Sequence, residues 1–333
     1  MTAEPTTQLI KAGGASAEQA ARVLAAGGLV AFPTETVYGL GADATNGTAV
    51  ARLYQSKGRP AFNPLIAHVP DIAAARALAR FDRAAERLAA AFWPGPLTLV
   101  LPKRADCPVA ELATAGLDTV AVRVPNHPVA RALLMACGHP VAAPSANRSG
   151  HLSPTTAQHV LADLRGRIEL IVDGGPTPVG LESTIVACLD RPTLLRLGAL
   201  PRAEIERVIG SVQPAAAAAP ATDGAEVPLA PGQLGSHYAP RARLRLNARR
   251  VAAGEALLAF GPAAAEGCER AALALNLSAR GDLIEAAANL FSHLRTLDGC
   301  GAATIAVMPV PHTGLGEAIN DRLERAAAPR PMR

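Results

Sequence analysis

The stretch LVAFPTETVYGLGADATNGTAVARLYQSKGRPAFNPLIAHV, Leu29–Val69, sets the pattern on which the rest of the chain is built. A short apolar run, Leu29–Phe32, breaks into a polar turn punctuated by glycine. A helical segment follows from Thr48 to Lys57, and a second apolar run, Pro64–Val69, closes the stretch. Strand, helix and strand in this order predict an α/β fold.

Strand and helix signals alternate beyond this stretch, but strands also occur in runs. LTLVLP is followed closely by TVAVRVP, and LIVD, STIVACL and LLRL lie near one another. We therefore expect a mixed twisted sheet with flanking helices rather than a purely parallel sheet. This first domain spans residues 14–210. A linker spans 211–240, with the low-complexity PAAAAAP and the turn-rich PGQLGSHYAP, and a smaller α/β domain spans 241–333.

Composition limits the classes of function. Of 333 residues, 50% are hydrophobic and 18% are charged, which excludes wholesale disorder. The net charge of +4 permits contact with RNA but does not demand it. The five cysteines are widely spaced and form no CxxC pair, so we expect free thiols and no zinc site. Neither a signal peptide nor an apolar run of membrane-spanning length is visible, so we expect a cytoplasmic protein with no membrane partner.

Familiar catalytic motifs fail when their context is checked. Gly39–Ala44 fits a loose G-x-G-x-x-A pattern, but TETVY separates it from the strand and no acidic residue stands about twenty positions on. Gly175–Gly180 has the spacing of a P-loop, yet Leu181 and Glu182 replace its lysine and hydroxyl residue. No nucleophile elbow and no histidine pair with ligand spacing is present, so covalent and zinc mechanisms have little support.

What remains is a set of small polar and cationic groups at strand ends and turns. Its members are Thr34, Glu35, Thr36, Lys57, Arg59, Asn63, His68, Arg123, Ser145, Asn147, Ser183 and Thr184. Lys57 and Arg59 flank a glycine after a helix, where both cations could face one polyphosphate. They could equally be solvated charges at a helix C-terminus. Since all but three of the 32 basic residues are arginine, the lysine at 57 indicates a requirement for lysine.

Each remaining motif also has an ordinary structural interpretation. PSAN, Pro144–Asn147, is compatible with a simple serine-asparagine turn. ESTIV, Glu182–Val186, is compatible with the strand preference of threonine. Arg123 in VAVRVP is either exposed at an edge or buried against an anion, and His68 alone is more often structural than functional.

Taken together, PTETVYGLG, SKGRP with NPL, VAVRVP, PSANRSG and ESTIV resemble the YrdC family of L-threonylcarbamoyl-AMP synthases. The resemblance covers about Ser16 to Ile209, and PGQLGSHYAP with the final domain resembles the longer, two-domain form. It implies a YrdC-like catalytic domain and a smaller Rossmann-like C-terminal domain. It also implies a reaction: L-threonine, bicarbonate and ATP give threonylcarbamoyl-AMP and pyrophosphate. That is the first step towards N6-threonylcarbamoyladenosine at position 37 of tRNAs reading ANN codons.

The resemblance also assigns residues. The catalytic Lys-x-Arg and Ser-x-Asn signature falls on Lys57, Arg59, Ser145 and Asn147. ATP contacts fall on Arg59, Asn63, Thr119, Asn147, Thr155, Arg196 and, from the linker, Tyr238. L-Threonine contacts fall on Thr36, His68, Arg123, Ser145 and Ser183. The implied partners are ATP, threonine, bicarbonate, a downstream tRNA-modifying threonylcarbamoyl transferase and, weakly, tRNA itself.

The chemistry suits this assignment, because both substrates and the carbamate intermediate are anionic. Lys57, Arg59, Arg123 and a Mg²⁺ ion carried by ATP would neutralise charge that develops at the α-phosphorus. A water-poor pocket would favour the neutral threonine amine that carbamate formation needs. No general base is evident, as expected if positioning does most of the work.

Three alternatives remain open at this point. The first domain could be the carbamoyl-adenylate-forming part of a hydrogenase-maturation carbamoyltransferase, although the upstream segments of such proteins are not seen here. The chain could instead be an RNA-binding module without catalysis, whose affinity would fall steeply with salt. The final domain could serve only as a docking surface for the transferase.

Overall fold

A computed structural model of the chain describes residues 5–214, 228–231 and 238–328. Much of the predicted linker, including most of PGQLGSHYAP, lies outside the described residues. The large sheet contains strands β1 (Gln8–Lys11), β2 (Val30–Pro33), β3 (Tyr38–Asp43), β4 (Ile66–His68), β5 (Leu97–Pro102), β6 (Thr119–Arg123), β7 (Val141–Ala142), β8 (Leu170–Asp173), β9 (Thr184–Ala187), β10 (Thr193–Arg196) and β11 (Gln213–Pro214).

The eleven strands lie in the order β1-β8-β2-β3-β7-β4-β6-β5-β9-β10-β11. Strands β4 and β6 pair parallel, as do β5 and β9, whereas β7 pairs antiparallel with both β3 and β4. Strands β5 and β6 are antiparallel neighbours, as are β9 and β10. The predicted mixed sheet is therefore confirmed.

Helices cover both faces of this sheet. They are α1 (Ser16–Ala25), α2 (Gly47–Lys57), α3 (Ile72–Leu78), α4 (Arg83–Phe92), α5 (Glu111–Thr114), α6 (Pro128–Cys137), α7 (Ala157–Leu164) and α8 (Arg202–Ile209). One core packs apolar residues of α1 and α6 against β2 and β8. A second core packs α2, α3, α4 and α7 against β3, β5 and β6. The doubly covered sheet explains why most of its strands are buried along all or nearly all of their length, whereas β1 and β11 at its edges are exposed.

Helix α2 ends where its sequence predicts. The side chain of Asn46 accepts hydrogen bonds from the backbone N–H groups of Thr48 and Ala49, which caps the first turn. Gly58 adopts the left-handed conformation at φ 61°, and its N–H bonds to the carbonyl of Gln55. This terminus fixes the direction in which the chain leaves the helix and so sets the position of Arg59.

The interpretation of GLG as a turn is wrong, because Gly39 and Gly41 lie inside strand β3. A Cβ on Gly41 would come within 2.9 Å of the Phe32 ring and 3.0 Å of a Val141 methyl. Glycine is needed here because neighbouring side chains occupy the space of a side chain, not because the backbone bends. The same fact removes the dinucleotide-loop interpretation of this segment.

A smaller sheet follows, with strands β12 (Arg243–Arg245), β13 (Ala256–Ala259), β14 (Ala274–Asn276) and β15 (Thr304–Val307) in the order β12-β15-β13-β14. All three pairings are parallel. Helices α9 (Leu283–Gly299) and α10 (Leu315–Ala327) pack on it. We call residues 241–328 the C-terminal unit; its parallel α/β architecture confirms the predicted fold class.

The two sheets share a continuous core rather than a bare linker. Val37, Leu152 and Leu181 of the large unit pack in one apolar cluster with Leu290 and Phe291 of helix α9. Gly180 lies so close to this helix that a Cβ would be 2.4 Å from the carbonyl oxygen of Ala287. The predicted domain boundaries themselves remain a prediction. Among the described residues, no helix has both the length and the apolar character to cross a membrane.

Candidate active site at the strand ends

A single cavity brings together most of the predicted site residues. It is lined by predicted residues from the ends of strands, from the turns between them and from the linker: Thr36, Arg59, His68, Arg123, Ser145, Ser183, Arg196 and Tyr238. Glu182 and the linker residue Pro231 line it as well. Residues separated by about 200 positions in the chain therefore converge because their strands end at the same region of the sheet.

Lys57 is not among the residues that line this cavity. Its side chain is 3% exposed, and its Nζ donates hydrogen bonds to the backbone carbonyls of Ser145, at 2.5 Å, and Asn147. The carbonyl of Lys57 also accepts from the N–H of Ser149 at 2.8 Å. Burial and the nearby Arg59 lower the pKa of Lys57 well below its ordinary value, against the influence of Asp163. Lys57 thus stabilises the PSAN turn through hydrogen bonds to its backbone and does not line the cavity.

The amides of Asn63 and Asn147 are buried, and each leaves its side-chain oxygen without a hydrogen-bond partner among the described residues. The Asn147 Nδ2 is fully used, donating to the carbonyls of Arg148 and His151 at 2.8 Å. An unpaired buried acceptor costs about 1–3 kcal/mol. Neither asparagine lines the cavity, but two such oxygens on residues predicted to contact ATP are suited to N–H or O–H donors of a ligand.

Thr119 and Thr155 are two further predicted ATP contacts that lie outside the cavity lining. Thr119 begins β6, whereas Arg123 ends it, which separates the two by roughly 13 Å along the strand. Thr155 is buried, with its hydroxyl 3.3 Å from Nδ1 of His159. Neither residue lines the cavity, so their roles stay predictions.

His68 is held as a neutral imidazole. Burial and, after it, the charge of Arg123 lower the pKa of His68 to about 3, although carbonyl contacts with Ile66 and Val141 oppose the shift. The ring Nδ1 lies 3.2 Å from the carbonyl oxygen of Ile66. Since a carbonyl only accepts, the proton of the neutral ring belongs on Nδ1, and Nε2 is left as an acceptor.

Arg123 has an acidic neighbour that the sequence did not single out as its partner. Its Nη2 lies 2.7 Å from Oε1 of Glu35, and both side chains are almost wholly buried. The geometry is not that of a hydrogen bond, and within the part of the chain that the structure describes both carboxylate oxygens and Nη2 lack a hydrogen-bond partner. The Nε donates to the carbonyl of Gly95 at 3.3 Å. Arg123 therefore retains N–H groups for an anionic ligand while Glu35 balances its charge.

Arg196 and Thr98 position Ser183 from two sides. Nε and Nη2 of Arg196 donate to the carbonyl of Ser183 at 3.1 and 2.8 Å, and Nη2 also reaches the Ser183 hydroxyl at 3.1 Å. The hydroxyl of Thr98 lies 2.7 Å from the same hydroxyl. Thr98 and Ser183 are 0% and 1% exposed, so this polar cluster is screened from water. Sequence reasoning missed Thr98, which looks like an ordinary strand threonine in LTLVLP.

Glu182 supplies a carboxylate at the cavity wall. Its Oε1 accepts from the Ser153 hydroxyl at 2.5 Å, and its Oε2 accepts from Nε of Arg322 at 2.9 Å. Burial alone would raise the pKa of Glu182, but Arg322, Arg196 and these two hydrogen bonds lower it to about 2. Sequence reasoning placed Glu182 in ESTIV without a role and missed Ser153 and Arg322, because no local pattern connects the three.

Arg59 keeps its charge in the cavity wall. Its Nε and Nη2 donate to the carbonyls of Asn63 and Pro64 at 3.2 and 3.0 Å, which fixes the plane of the guanidinium. Burial lowers its pKa to about 10, so it is protonated at neutral pH. With Arg123 and Arg196, three guanidinium groups surround one cavity. Such a set can hold more than one anionic group at once.

Comparison with known proteins shows what this arrangement is similar to. The family model for Sua5, YciO and YrdC, described as "Telomere recombination", matches residues 22–198. A second model, described as "Threonylcarbamoyl-AMP synthase, C-terminal domain", matches residues 200–328. Together they cover both the large sheet and the C-terminal unit.

Individual relatives agree along most of their length. The threonylcarbamoyl-AMP synthase of Bacillus subtilis (strain 168) is 43% identical over 328 residues, covering 95% of this chain and 94% of the relative. That of Pyrococcus abyssi is 43% identical and covers 92% of this chain and 93% of the relative. The crystal structure of P. abyssi Sua5 complexed with L-threonine matches with a TM-score of 0.85 at 40% identity. It covers 96% of this chain and 97% of that chain.

Proposed function

This chain belongs to the family of threonylcarbamoyl-AMP synthases, and we propose that the cavity at the strand ends is where it joins L-threonine, bicarbonate and ATP. The activity is a nucleotidyltransferase reaction that yields threonylcarbamoyl-AMP and pyrophosphate. The convergence of Arg59, Arg123 and Arg196 around one cavity carries the proposal, because each substrate brings negative charge and the site must hold these charges together.

The reaction balances without a protein nucleophile. Bicarbonate takes up a proton and releases water to give CO₂. The threonine nitrogen attacks the carbon of this CO₂ and loses a proton, which leaves a carbamate. A carbamate oxygen then attacks the α-phosphorus of ATP, and the bond to the bridging oxygen of the β-phosphate breaks to release pyrophosphate. The chain's task is to bring these three species into line and to neutralise the charge that develops.

The threonine half of the site falls on one part of the cavity wall. Arg123 offers N–H groups to the threonine carboxylate, with Glu35 balancing its charge. His68 presents an unprotonated Nε2 that can accept from the substrate's amine or hydroxyl. Ser183, fixed by Thr98 and Arg196, supplies a hydroxyl to the same ligand.

The nucleotide half surrounds Arg59. We propose that Arg59 and Arg196 neutralise the phosphates, and that the unpaired amide oxygens of Asn63 and Asn147 accept from the ribose hydroxyls or the adenine amino group. Lys57 contributes by holding Ser145 and Asn147 in place through their carbonyls. This differs from the predicted clamp in which the Lys57 ammonium itself faces the phosphates.

Mg²⁺ is proposed to arrive with its nucleotide. No group of three or more His, Cys, Asp or Glu side chains in the described residues is placed to hold a metal ion. The carboxylate at the cavity wall, Glu182, has both oxygens occupied by hydrogen bonds. We propose that the ATP phosphates supply ligands to this ion.

The wider setting follows from the product. We propose that a tRNA-modifying threonylcarbamoyl transferase takes the adenylate onward to adenosine 37, and that any contact of this chain with tRNA itself is weak. A cytoplasmic location is supported by the five free cysteines.

The decisive experiment incubates the chain with ATP, ¹³C-bicarbonate and L-threonine, and identifies the product by mass spectrometry. We expect an adenylate carrying one ¹³C and one threonine, with pyrophosphate released in equal amount. Replacing threonine by serine tests the specificity of the amino-acid site. If RNA binds tightly and no adenylate forms with threonine, the chain is an RNA-binding module and the proposal fails.

A further inference from the structure

Arg322 belongs to the last helix that the structure describes, yet it bonds to Glu182, which lines the cavity in the other unit. It lies on α10 in the C-terminal unit, and its side chain is 1% exposed. An arginine that is this deeply buried must satisfy its donors within the protein. Its Nη1 donates to the carboxylate of the adjacent Asp321 on the same helix, whereas its other partners lie outside α10.

Two of these partners lie at the ends of adjacent strands of the large sheet. Nε of Arg322 donates to Oε2 of Glu182 at 2.9 Å, and Nη2 donates to the carbonyl of Leu197 at 2.7 Å. Glu182 stands just before β9, and Leu197 stands just after β10. One planar guanidinium thus joins the start of one antiparallel strand to the end of its neighbour.

The residues next to these two partners line the cavity. Ser183 follows Glu182, and Arg196 precedes Leu197. The backbone between them is closely packed, since a Cβ on Gly198 would lie 2.4 Å from the carbonyl oxygen of Glu182. A shift of either strand end would therefore move the Arg196–Ser183 hydrogen bonds as well.

A third partner is the linker residue Tyr238. The guanidinium carbon of Arg322 lies 5.0 Å from the centroid of the Tyr238 ring, within the range of a cation–π contact. The same ring stacks on Phe291 of α9 at 5.5 Å between centroids. Tyr238 has a positive φ of 62°, a strained conformation for a tyrosine that the surrounding contacts must maintain.

Glu182 is held as a structural anion and not as a proton acceptor. Both of its oxygens already accept a hydrogen bond, one from Ser153 and one from Arg322. Its pKa of about 2 also makes it a weak base at neutral pH. Its contribution is therefore to receive Arg322 and keep the cavity wall in register.

We propose that Arg322 is a positioning residue for the nucleotide and threonine subsites, through which the C-terminal unit sets the positions of Ser183, Arg196 and Tyr238. It touches no substrate itself and acts through Glu182, the Leu197 carbonyl and the Tyr238 ring. The inference rests on the proposed function of the cavity. It gives the C-terminal unit a task in the first reaction, beyond any docking of a later partner.

The alternative is that Arg322 merely fastens the two units together. Arg295 of α9 provides a matched control, because it makes the same kinds of contact elsewhere on the boundary. Its Nη2 pairs with Oδ2 of Asp163 at 2.8 Å and donates to the carbonyl of Leu152. Each arginine therefore joins a carboxylate and a carbonyl of the large unit, but Asp163 and Leu152 do not line the cavity.

The test compares R322Q, R322K and R295Q with the unsubstituted full chain. Threonine-dependent pyrophosphate release is measured while ATP and threonine are varied separately, and the melting temperature of each variant is recorded. We expect R322Q to raise KM for ATP at least tenfold and to lower kcat/KM about 100-fold. R295Q should lower the melting temperature about as much as R322Q does. It should leave KM for ATP and KM for threonine within twofold of the values for the unsubstituted chain.

R322K keeps the charge but loses the planar fork, so we expect a smaller rise in KM, about threefold to tenfold. R322K also tests the proposal if R322Q does not fold. Equal kinetic effects of R322Q and R295Q would overturn the proposal, as would unchanged KM values in a folded R322K. If the unsubstituted chain forms no adenylate, the proposed function fails instead, and equilibrium binding of ATP to R322K and R295Q still decides the role of Arg322.

Discussion

His68 and Arg123 are register partners on the parallel strands β4 and β6, and each is the last residue of its strand. Paired residues of parallel strands project from the same face of a sheet, so the guanidinium and the imidazole share one environment. Burial and this cation together keep the pKa of His68 at about 3. The proximity that lets both residues serve one ligand also fixes the charge state of the histidine.

This relationship predicts how stability depends on pH. An unfolded histidine binds a proton near pH 6.5, whereas folded His68 does not until about pH 3. The unfolded state is therefore favoured progressively as pH falls from 6.5 towards 3, by up to about 1.4 kcal/mol per pH unit for this group. H68N keeps a donor for the Ile66 carbonyl but does not titrate.

The measurement is urea unfolding of the unsubstituted chain and H68N at pH 7, 6 and 5. Other histidines with lowered pKa values, among them His159, contribute equally to both proteins, so the difference isolates His68. We expect H68N to lose stability less steeply below pH 6.5. Identical slopes for the two proteins would show that His68 is protonated in the fold.

Substitution of Lys57 should disturb the PSAN turn more than the charge of the cavity. K57A leaves the carbonyls of Ser145 and Asn147 without their donor, at a cost of roughly 2–4 kcal/mol in the free energy of unfolding. Activity should fall about 100-fold as the turn shifts, an effect of roughly 2.7 kcal/mol. K57R should not restore it, because a guanidinium is larger than the 3% exposed site allows.

Lys11 provides the control for this prediction. Its side chain is 86% exposed and its ion pair with Asp173 lies at the surface, so K11A should change stability by less than about 1 kcal/mol. Steady-state pyrophosphate release and chemical denaturation measure both variants. A stable, fully folded K57A with lost phosphate affinity would favour a direct contact between the ammonium and ATP.

Gly180 should tolerate no side chain. Its φ is +76°, and a Cβ would lie 2.4 Å from the carbonyl oxygen of Ala287 and 2.6 Å from the Cα of Ala288. G180A should therefore cost about 1 kcal/mol of backbone strain and a further 1–3 kcal/mol of overpacking. Because the N–H of Gly180 donates to the carbonyl of Thr36, threonine binding should weaken too.

Comparison with G175A separates the cost of backbone strain from the cost of overpacking. Gly175 has a similar φ of +84°, but a Cβ there would meet nothing within 4 Å. It should lose only the strain term, about 1 kcal/mol. Calorimetric unfolding of both variants checks the prediction, which fails if G180A and G175A lose the same amount of stability.

Substitution of Thr98 should weaken threonine binding, although Thr98 does not line the cavity. T98V removes the hydroxyl that lies 2.7 Å from Ser183 Oγ and should cost about 1–2 kcal/mol of stability. KM for threonine should rise severalfold because Ser183 loses one of the groups that orient it. T98S keeps the hydroxyl and should behave like the unsubstituted chain; a loss of affinity in T98S as severe as in T98V would implicate packing instead.

Much of the architecture could be predicted from local sequence patterns. Asp71 and Asp82 occupy N-cap positions, which aspartate favours, and each side chain accepts from a backbone N–H of the helix it starts. The alternation of VAVRVP correctly predicted strand β6, with Arg123 at its end. Such features depend on residues that are close in the sequence, so they can be recognised from the sequence alone.

The sequence by itself thus determined the mixed α/β architecture and most of the residues that meet at the cavity. The tertiary structure alone decided which groups those residues hold. It directed the Lys57 ammonium to two carbonyls, placed Thr98 beside Ser183, and paired Glu182 with an arginine 140 positions away. The physical reason is that strand and helix signals arise from local periodicity. A buried charge instead finds its partner wherever folding places the nearest donor.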